Sequence, residues 1–479
     1  DLYCHFIFKG FDLIKENGII SYITSKTYWT IQTKKNLREL LLKNKIIEMF
    51  DTASPFTAMV DTAVFIAKKQ KDNTNYEFIF KDGKQDLLNP VQYKAKIEWY
   101  KNIPNNVFFM PTNRNISIQQ KYGAIVKKLL DTWWDKISTS KNIEKFKREL
   151  EQYRNSLKPG DITLLGLITE GGQGLATANN GKYIGVLEET KWAEKVTAER
   201  PKKLWEFLQT KKIPELSHIT SKQQAEEFLA KKTEKEIRTL FDTLKEKYGR
   251  DVFGQGWLYR IVSPGEIADV ETLTQDEKLN GISGNKTFVP YDKGDKDGNR
   301  WYAPTPYYID WSRENVKFLK ENSGKKGEGM PVVRNPQFYF REGFCWNNVS
   351  TPIHKESMFI KVRIKEKTIN DVASMSLYPF LDTKIPNFYI VCLLNSSFLF
   401  KYLKSIINQS VNLQINDFRQ LPIIIPTSEQ LRSFKDIFDK AVEIKKQKFG
   451  GEITETNAEE KLKEIQKVLD KKVEELYGV

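Results

Sequence analysis

Apolar side chains Tyr3, Phe6, Ile7, Phe11 and Ile14 recur at helical spacing over residues 2–15, so one face of a helix is apolar. Asn17-Gly18 then supplies the left-handed stop that helix ends favour. Residues 19–24 (IISYIT) read as a short buried strand, 34–44 (KKNLRELLLKN) return to a helical period, and 46–50 and 62–68 (TAVFIAK) read as two further strands. Helix, strand, helix, strand, loop, strand predicts the second half of a doubly wound α/β sheet, with an edge pair at 76–81 and around 97–100 closing a first domain near residue 110.

Beyond that point the pattern changes. Residues 111–160 are helical and charged (IEKFKRELEQYRNSL), as expected of a connector. Residues 161–427 hold Gly- and aromatic-rich segments with short strand signals, such as GLITEGGQGLATANNGKYIGVL and KTFVPYDKGDKDGNRWYAPTPYYIDWS, which predict an α+β domain interrupted by a helical insertion at about 195–250. A Lys/Glu-dense helical block follows at 428–479.

The 479 residues, 40% apolar and 29% charged, are enough for two or three domains with hydrophobic cores. No apolar run has the length of a membrane span, and cytosol is the default location. Cys4, Cys345 and Cys392 are too few and too scattered for a disulfide framework or a CxxC metal site, and read as small core residues. His5, His218 and His354 are the only histidines, which argues against a zinc site or a His-based triad. A net charge of +14 points to a polyanionic partner, because phosphate neutralisation by Lys and Arg dominates nucleic-acid affinity.

Two loops imitate known motifs without meeting their requirements. GGQGLATANNG lacks GxxxxGK[ST] and a strand–glycine–helix setting, and DKGDKDGN lacks the downstream Glu of a calcium loop, so both read as turns. No metal-dependent nuclease pattern was found. Ser54-Pro55-Phe56, between two strands, is more informative, because such a loop projects its aromatic over the ligand-binding edge of a sheet.

The succession DLYCHF, Gly turn, strand ending in ITS, LRELLL, IIEMFD, then SPF and DTAVFI resembles the segment after the catalytic motif in TaqI-type N6-adenine DNA methyltransferases, over residues 1 to about 70. RNPQFYFREGFCW, LLNSSFLFKYL and LQINDFRQLPIIIP look like the target-recognition region of large single-chain methyltransferases of restriction-modification systems and of BREX-type phage defence (PglX proteins). The resemblance implies a Rossmann-like methyltransferase sheet followed by a target-recognition domain with helical arms. It further implies S-adenosyl-L-methionine as cofactor, with Phe6 beside its adenine and Tyr3 nearby, and Phe56 stacking on an extruded target base. The family's glycine-rich cofactor motif and its Asn-Pro-Pro-aromatic tetrapeptide lie upstream of DLYxxF and are not in this sequence; Asn89-Pro90 and Asn335-Pro336 lack the second proline, and Ala58 and Met59 stand where the family has a basic residue. The expectation is therefore a carboxy-terminal piece whose partner is the missing amino-terminal catalytic half.

Double-stranded DNA is the implied second partner, with base flipping needed to reach an adenine amino group inside a duplex. Sequence choice falls to the second domain, where Arg and Asn/Gln side chains read the major groove. The candidates are Gln173, Asn179, Asn180, Arg260, Arg300, Arg334, Asn335 and Arg341, supported by Trp257, Tyr259, Trp301, Tyr307 and Trp346. No metal is required. A stand-alone DNA-binding specificity module that never catalyses is the competing reading.

Overall fold

A computed structural model describes residues 1–56, 60–70, 75–248, 258–294, 298–327, 329–347, 360–410 and 412–479. The chain divides into two compact units: Asp1–Glu170 with Val349–Lys361 and Pro379–Val479, and Gly171–Asn348 with Val362–Tyr378. The first unit thus contains the segment 379–427 that the sequence pattern groups with the recognition domain. Its side chains explain the difference. Leu393, Leu394, Phe398, Leu399 and Leu403 are all buried, and residues 422–424 form a strand that pairs antiparallel with 162–164.

The first unit opens with helix α1 (Leu2–Leu13), which buries Ile7 and Phe11. A Cβ on Gly10 would stand 2.6 Å from Ile20 Cδ1, so glycine lets the helix lie close on the following strand. The helix ends at Leu13, earlier than the spacing predicts; Asn17, at φ 64°, makes the left-handed turn into the sheet. Strands β1 (Ile19–Ser25), β2 (Lys45–Ala53), β3 (Thr62–Lys68), β4 (Glu77–Asp82) and β5 (Val91–Lys96) form one sheet in the order β1-β3-β2-β4-β5. Antiparallel β3 lies between β1 and β2, β4 runs parallel to β2, and β5 is antiparallel to β4. The second edge strand is therefore 91–96 and not 97–100, where Glu98–Lys101 forms a helical turn and Tyr100 is buried. Helix α2 (Lys35–Leu42) connects β1 to β2 and buries Leu37, Arg38 and Leu41.

Arg38 organises this region. Its Nη1 donates to the carbonyls of Tyr28 and Ile31, both at 2.8 Å, and its Nε to the carbonyl of Asn105 at 2.9 Å. Burial lowers its pKa to about 10. The guanidinium thereby ties the 3-10 turn Lys26–Trp29 to α2 and to the loop at 105.

Helices between 113 and 156 follow, as the connector pattern predicts. The unit closes with two long helices, Ser428–Gly450 and Glu455–Tyr477, that pack together. Thr427 and Gln430 form a capping box at the first, Gly451 ends it at φ 79°, and Thr454 caps the second. Tyr477, fully buried, donates from its hydroxyl to the carbonyl of Pro422 at 2.7 Å.

The second unit is an eight-stranded, mainly antiparallel sheet. Its strands, labelled after β6 (Ile162–Leu164), are β7 (Thr169–Gly172), β8 (Ile184–Leu187), β9 (Arg260–Val262), β10 (Phe288–Asp292), β11 (Tyr307–Asp310), β12 (Arg341–Asn347), β13 (Arg363–Asn370) and β14 (Ser374–Pro379), ordered β7-β14-β12-β13-β10-β11-β8-β9. Helices Lys191–Thr210, Lys222–Ala230 and Glu234–Tyr248 are the expected insertion and share a separate core that includes Leu204, Phe207, Leu229 and Phe241. The sheet interior carries charge: Asp292 accepts from Arg363 Nη2 at 2.6 Å and from Cys345 Sγ at 3.3 Å. Lys365 donates to the carbonyls of Arg341, Glu366 and Thr368, and burial brings its pKa down to about 8.

Replacing Arg38 by Leu removes three hydrogen bonds from a charged donor to buried or half-buried carbonyls, each worth about 1.5–3 kcal/mol. Denaturant melts of the Arg38→Leu chain are expected to show the first unit destabilised by at least about 3 kcal/mol; a loss within experimental error removes Arg38 as its organiser.

Candidate functional site

Strands β1, β2 and β4 point the same way, and their carboxyl ends converge on a polar cavity of about 210 Å³ in the first unit. Open α/β sheets bind ligands at this edge. Lys26 follows β1, Asp51 lies at the end of β2, Asp61 precedes β3 and Lys84 follows β4; Trp29, Asn115, Lys404 and Gln409 are also in the lining.

A buried ion pair centres the site. Lys26 Nζ lies 3.1 Å from Asp51 Oδ2 with both side chains almost fully buried, and 3.6 Å from Asp61. Lys84 approaches Asp51 from the other side at 3.5 Å. Backbone bonds lock the same residues together, Lys26 N donating to Asp61 O at 2.9 Å and Gly83 N to Asp51 O at 2.9 Å. Trp29 packs edge-on against Phe80 at 5.0 Å, and its buried indole N–H finds no partner among the described residues. Asn115 is held by its amide bond to the carbonyl of Met110 at 2.9 Å.

Phe56 stands in the loop that leaves β2 at this edge, 57% exposed. The loop is set up by a bulge: pairing with β3 slips between Asp51 and Ala53, and Ala53 takes φ 52°, rare for a residue with a Cβ. Asp51 Oδ1 accepts from Ala53 N at 3.0 Å, and Ser54 Oγ donates to Asp61 Oδ1 at 2.6 Å across the base of the loop. Ala58 and Met59 lie outside the described residues.

On α1, Phe6 is exposed, whereas Tyr3 is half-buried with its hydroxyl 3.2 Å from Thr27 Oγ1; burial pushes its pKa up to about 12. Leu2 and Leu13 are exposed on α1 like Phe6, and Ile19 and Ile23 are exposed on β1, an edge strand of its sheet, on the face away from α1.

In the second unit the polar candidates separate into small groups. Asn335, left-handed at φ 48°, donates from its side chain to the carbonyl of Gln173 at 2.9 Å, with Arg334 next to it. A Cβ on Gly172 would meet that amide at 2.3 Å, and one on Gly174 would stand 1.7 Å from the carbonyl of Asn370, so the glycines of GGQG serve close backbone packing. Asn179 accepts from Lys245 at 3.4 Å, Asn180 from Thr177, Arg260 pairs with Glu266, and Arg341 stacks on Phe338 and Tyr378 at 5.5 and 5.3 Å. Arg300 and Tyr307 are half-buried. Tyr259, Trp301 and Trp346 correct the expectation of a DNA-facing role: they are at most 5% exposed and form core, leaving no ring face for a base. Trp257 lies outside the described residues.

Sequence reasoning missed the cavity. Lys26, Asp51 and Asp61 sit at strand ends predicted from periodicity, so a search for charges at those ends finds them. Nothing local connects Lys404, more than 300 positions away, to the same space. Its ammonium donates to the carbonyl of Ser410 at 2.6 Å, and burial brings its pKa down to about 8, opposed by the nearby Asp417 carboxylate. Among the described residues no three His, Cys, Asp or Glu side chains gather as a metal site, and no single helix is long and apolar enough to cross a membrane.

Fold and site together define an α/β unit with a polar cavity at its strand ends, joined in sequence to a mainly antiparallel module. Residues 1–56 match the Eco57I restriction-modification methylase family. The adenine-specific methyltransferase BrxX of Escherichia coli O9:H4 (strain HS) is 23% identical over 163 residues, 34% of this chain and 12% of BrxX. Among solved structures, the Type IIL restriction-modification enzyme MmeI, determined in complex with DNA, aligns with a TM-score of 0.50 at 10% identity over 100% of this chain and 49% of its own. The DrdV–DNA complex aligns with a TM-score of 0.38 at 11% identity over 93% and 39%. The chain thus spans about half of MmeI and a much smaller part of BrxX. Its relatives are restriction-modification methylases and an adenine-specific methyltransferase, and the likeness to MmeI is one of fold.

Lys26, Lys84 and Lys404 bring three ammonium groups to the cavity, two of them held by the Asp51 carboxylate and the third near that of Asp417, and Lys404, lowered by burial, gives up its charge as pH passes about 8. An oligonucleotide held there is expected to bind several-fold more weakly at pH 9 than at pH 7 by fluorescence anisotropy, with the difference abolished in Lys404→Met; an unchanged pH dependence in that variant excludes Lys404 as its source.

Proposed function

We propose that this chain is the carboxy-terminal part of a site-specific DNA adenine-N6 methyltransferase of a restriction-modification or phage-defence system, acting in the cytoplasm on double-stranded DNA. The observation that carries this reading is Phe56: an exposed ring on a bulge-directed loop beside a polar cavity, at the ligand-binding edge of a sheet whose first 56 residues match a methylase family.

An adenine inside a duplex must be everted before its amino group can react. In this reading Phe56 holds the everted base by stacking, worth about 1–3 kcal/mol. Lys26, Lys84 and Lys404 attract the phosphates beside it, and Asp51 fixes Lys26 and Lys84 in place. S-adenosyl-L-methionine supplies the methyl group when bound. Phe6 fits one wall of its adenine site, as an exposed aromatic on α1, and Tyr3 braces that helix through Thr27. The rest of the cofactor pocket falls to a catalytic half that packs on the exposed apolar side chains of α1 and β1. The Type IIL fold likeness and the net charge of +14 support duplex DNA as partner. Gln173, Asn179, Asn180, Arg260, Arg300, Arg334, Asn335 and Arg341 are the side chains proposed to read or flank the target sequence, with the phosphate contacts adding affinity without sequence information.

The test is single-molecule mapping of N6-methyladenine in cells expressing the full-length protein. The expected result is modification at one short sequence, reduced about tenfold or more by Phe56→Ala, roughly the value of one stacked base. Absence of N6-methyladenine refutes the activity; full modification by Phe56→Ala refutes the role of the ring.

A further inference from the structure

The loop joining β4 to β5, residues 83–90, leaves the same sheet edge as the Phe56 loop and from the neighbouring strand. Asp51 of β2 lies opposite Asp82 of β4, and neighbouring strands are only about 4.8 Å apart, so the two loops rise side by side. The root of the second loop is fastened to the cavity: Gly83 N bonds to Asp51 O, Lys84 Nζ lies 3.5 Å from the Asp51 carboxylate, and a Cβ on Gly83 would stand 2.8 Å from the Phe50 ring.

The tip of this loop is folded on its own carboxylate. Asp86 Oδ1 accepts from the backbone N–H groups of Leu88 at 2.9 Å and Asn89 at 3.1 Å, while Oδ2 accepts from the Asn89 side chain at 3.0 Å. These bonds hold the Asp86 carboxyl below its usual pKa, so the turn is formed at neutral pH. What the turn displays is apolar: Leu88 is 90% exposed and Leu87 beside it 42%. A lone exposed leucine needs no explanation. Here the backbone is ordered by a specific network in order to hold a leucine out in water, next to the loop that displays Phe56. On β5, Gln92, Lys94 and Lys96 alternate along an exposed face that leads away from the tip.

We infer that Leu88 is a wedge that enters the DNA base stack at the position vacated by the everted base, with Leu87 as its shoulder. The inference rests on the proposed function. Everting a base leaves a gap whose stacking is lost on both sides, and inserted apolar side chains are a known means by which proteins hold base steps apart. A wedge already rigid before binding loses little conformational entropy on insertion, which is the physical use of the Asp86 turn. Phe56 and Leu88 then divide the work: Phe56 faces the extruded base, and Leu88 occupies the place it left.

The experiment uses the full-length protein and duplexes bearing its mapped target, with 2-aminopurine replacing the target adenine. A second duplex has an abasic residue there, so that no base remains to be unstacked. For Leu88→Ala, the fluorescence rise on binding is expected to fall sharply, and affinity to drop about tenfold for the intact duplex and also for the abasic duplex, because the gap that Leu88 fills exists in both. Leu88→Phe, which keeps an apolar wedge, is expected to retain the signal, and Asp86→Ala to lose part of it. An undiminished fluorescence rise in Leu88→Ala, or an unchanged affinity of that variant for the abasic duplex, overturns the wedge while leaving the methyltransferase reading intact. No fluorescence rise with the unmodified protein overturns base eversion itself, and the wedge with it.

Discussion

The first unit turns on the ion pair between Lys26 and Asp51. Both side chains are almost fully buried, and removing one partner of a buried pair typically costs about 3–5 kcal/mol. Together they fix the carboxyl ends of β1 and β2, and through Lys84 and Gly83 they reach the end of β4. Three strand ends are held at one point, from which the two loops rise. The bulge at Ala53 and the Asp86 turn are ways of aiming a chain whose origin is already fixed.

This arrangement shows how an exposed aromatic can be positioned without being packed. Phe56 makes little use of neighbouring side chains for its location; its loop is placed by backbone geometry and by the Ser54–Asp61 bond at its base. Exposure is thus compatible with order, which a side chain that must receive a planar ligand requires.

The second unit solves a different problem. A mostly antiparallel sheet has to present polar side chains at its margins, and it keeps charge inside as well. Asp292 with Arg363 and Cys345, and Lys365 with three carbonyls, are compensated locally. The large aromatics Trp301 and Trp346 fill the core instead of facing outward, and glycines at 171 and 174 let backbones approach where any side chain would collide.

Much of the first sheet was legible from periodicity. Strands at 19–25, 45–53 and 62–68 and helices at 2–13 and 35–42 fall within a few residues of the pattern, because alternation and 3.6-residue spacing report directly on which side chains are buried. The second edge strand was displaced to 91–96, since the apolar run at 97–100 fills the core as a helical turn and its spacing alone does not separate the two. Aromatics at 301 and 346 looked like recognition residues because composition cannot say which face of a strand a ring takes. Residues 379–427 pack against 162–168 and the terminal helices, a pairing that short strands do not announce. The sequence by itself determined the local elements and the loop that carries Phe56. Only the tertiary structure decided the cavity and the site's charge, because Lys404 and Lys26 meet through contacts across more than 300 residues, and no local pattern encodes a long-range encounter.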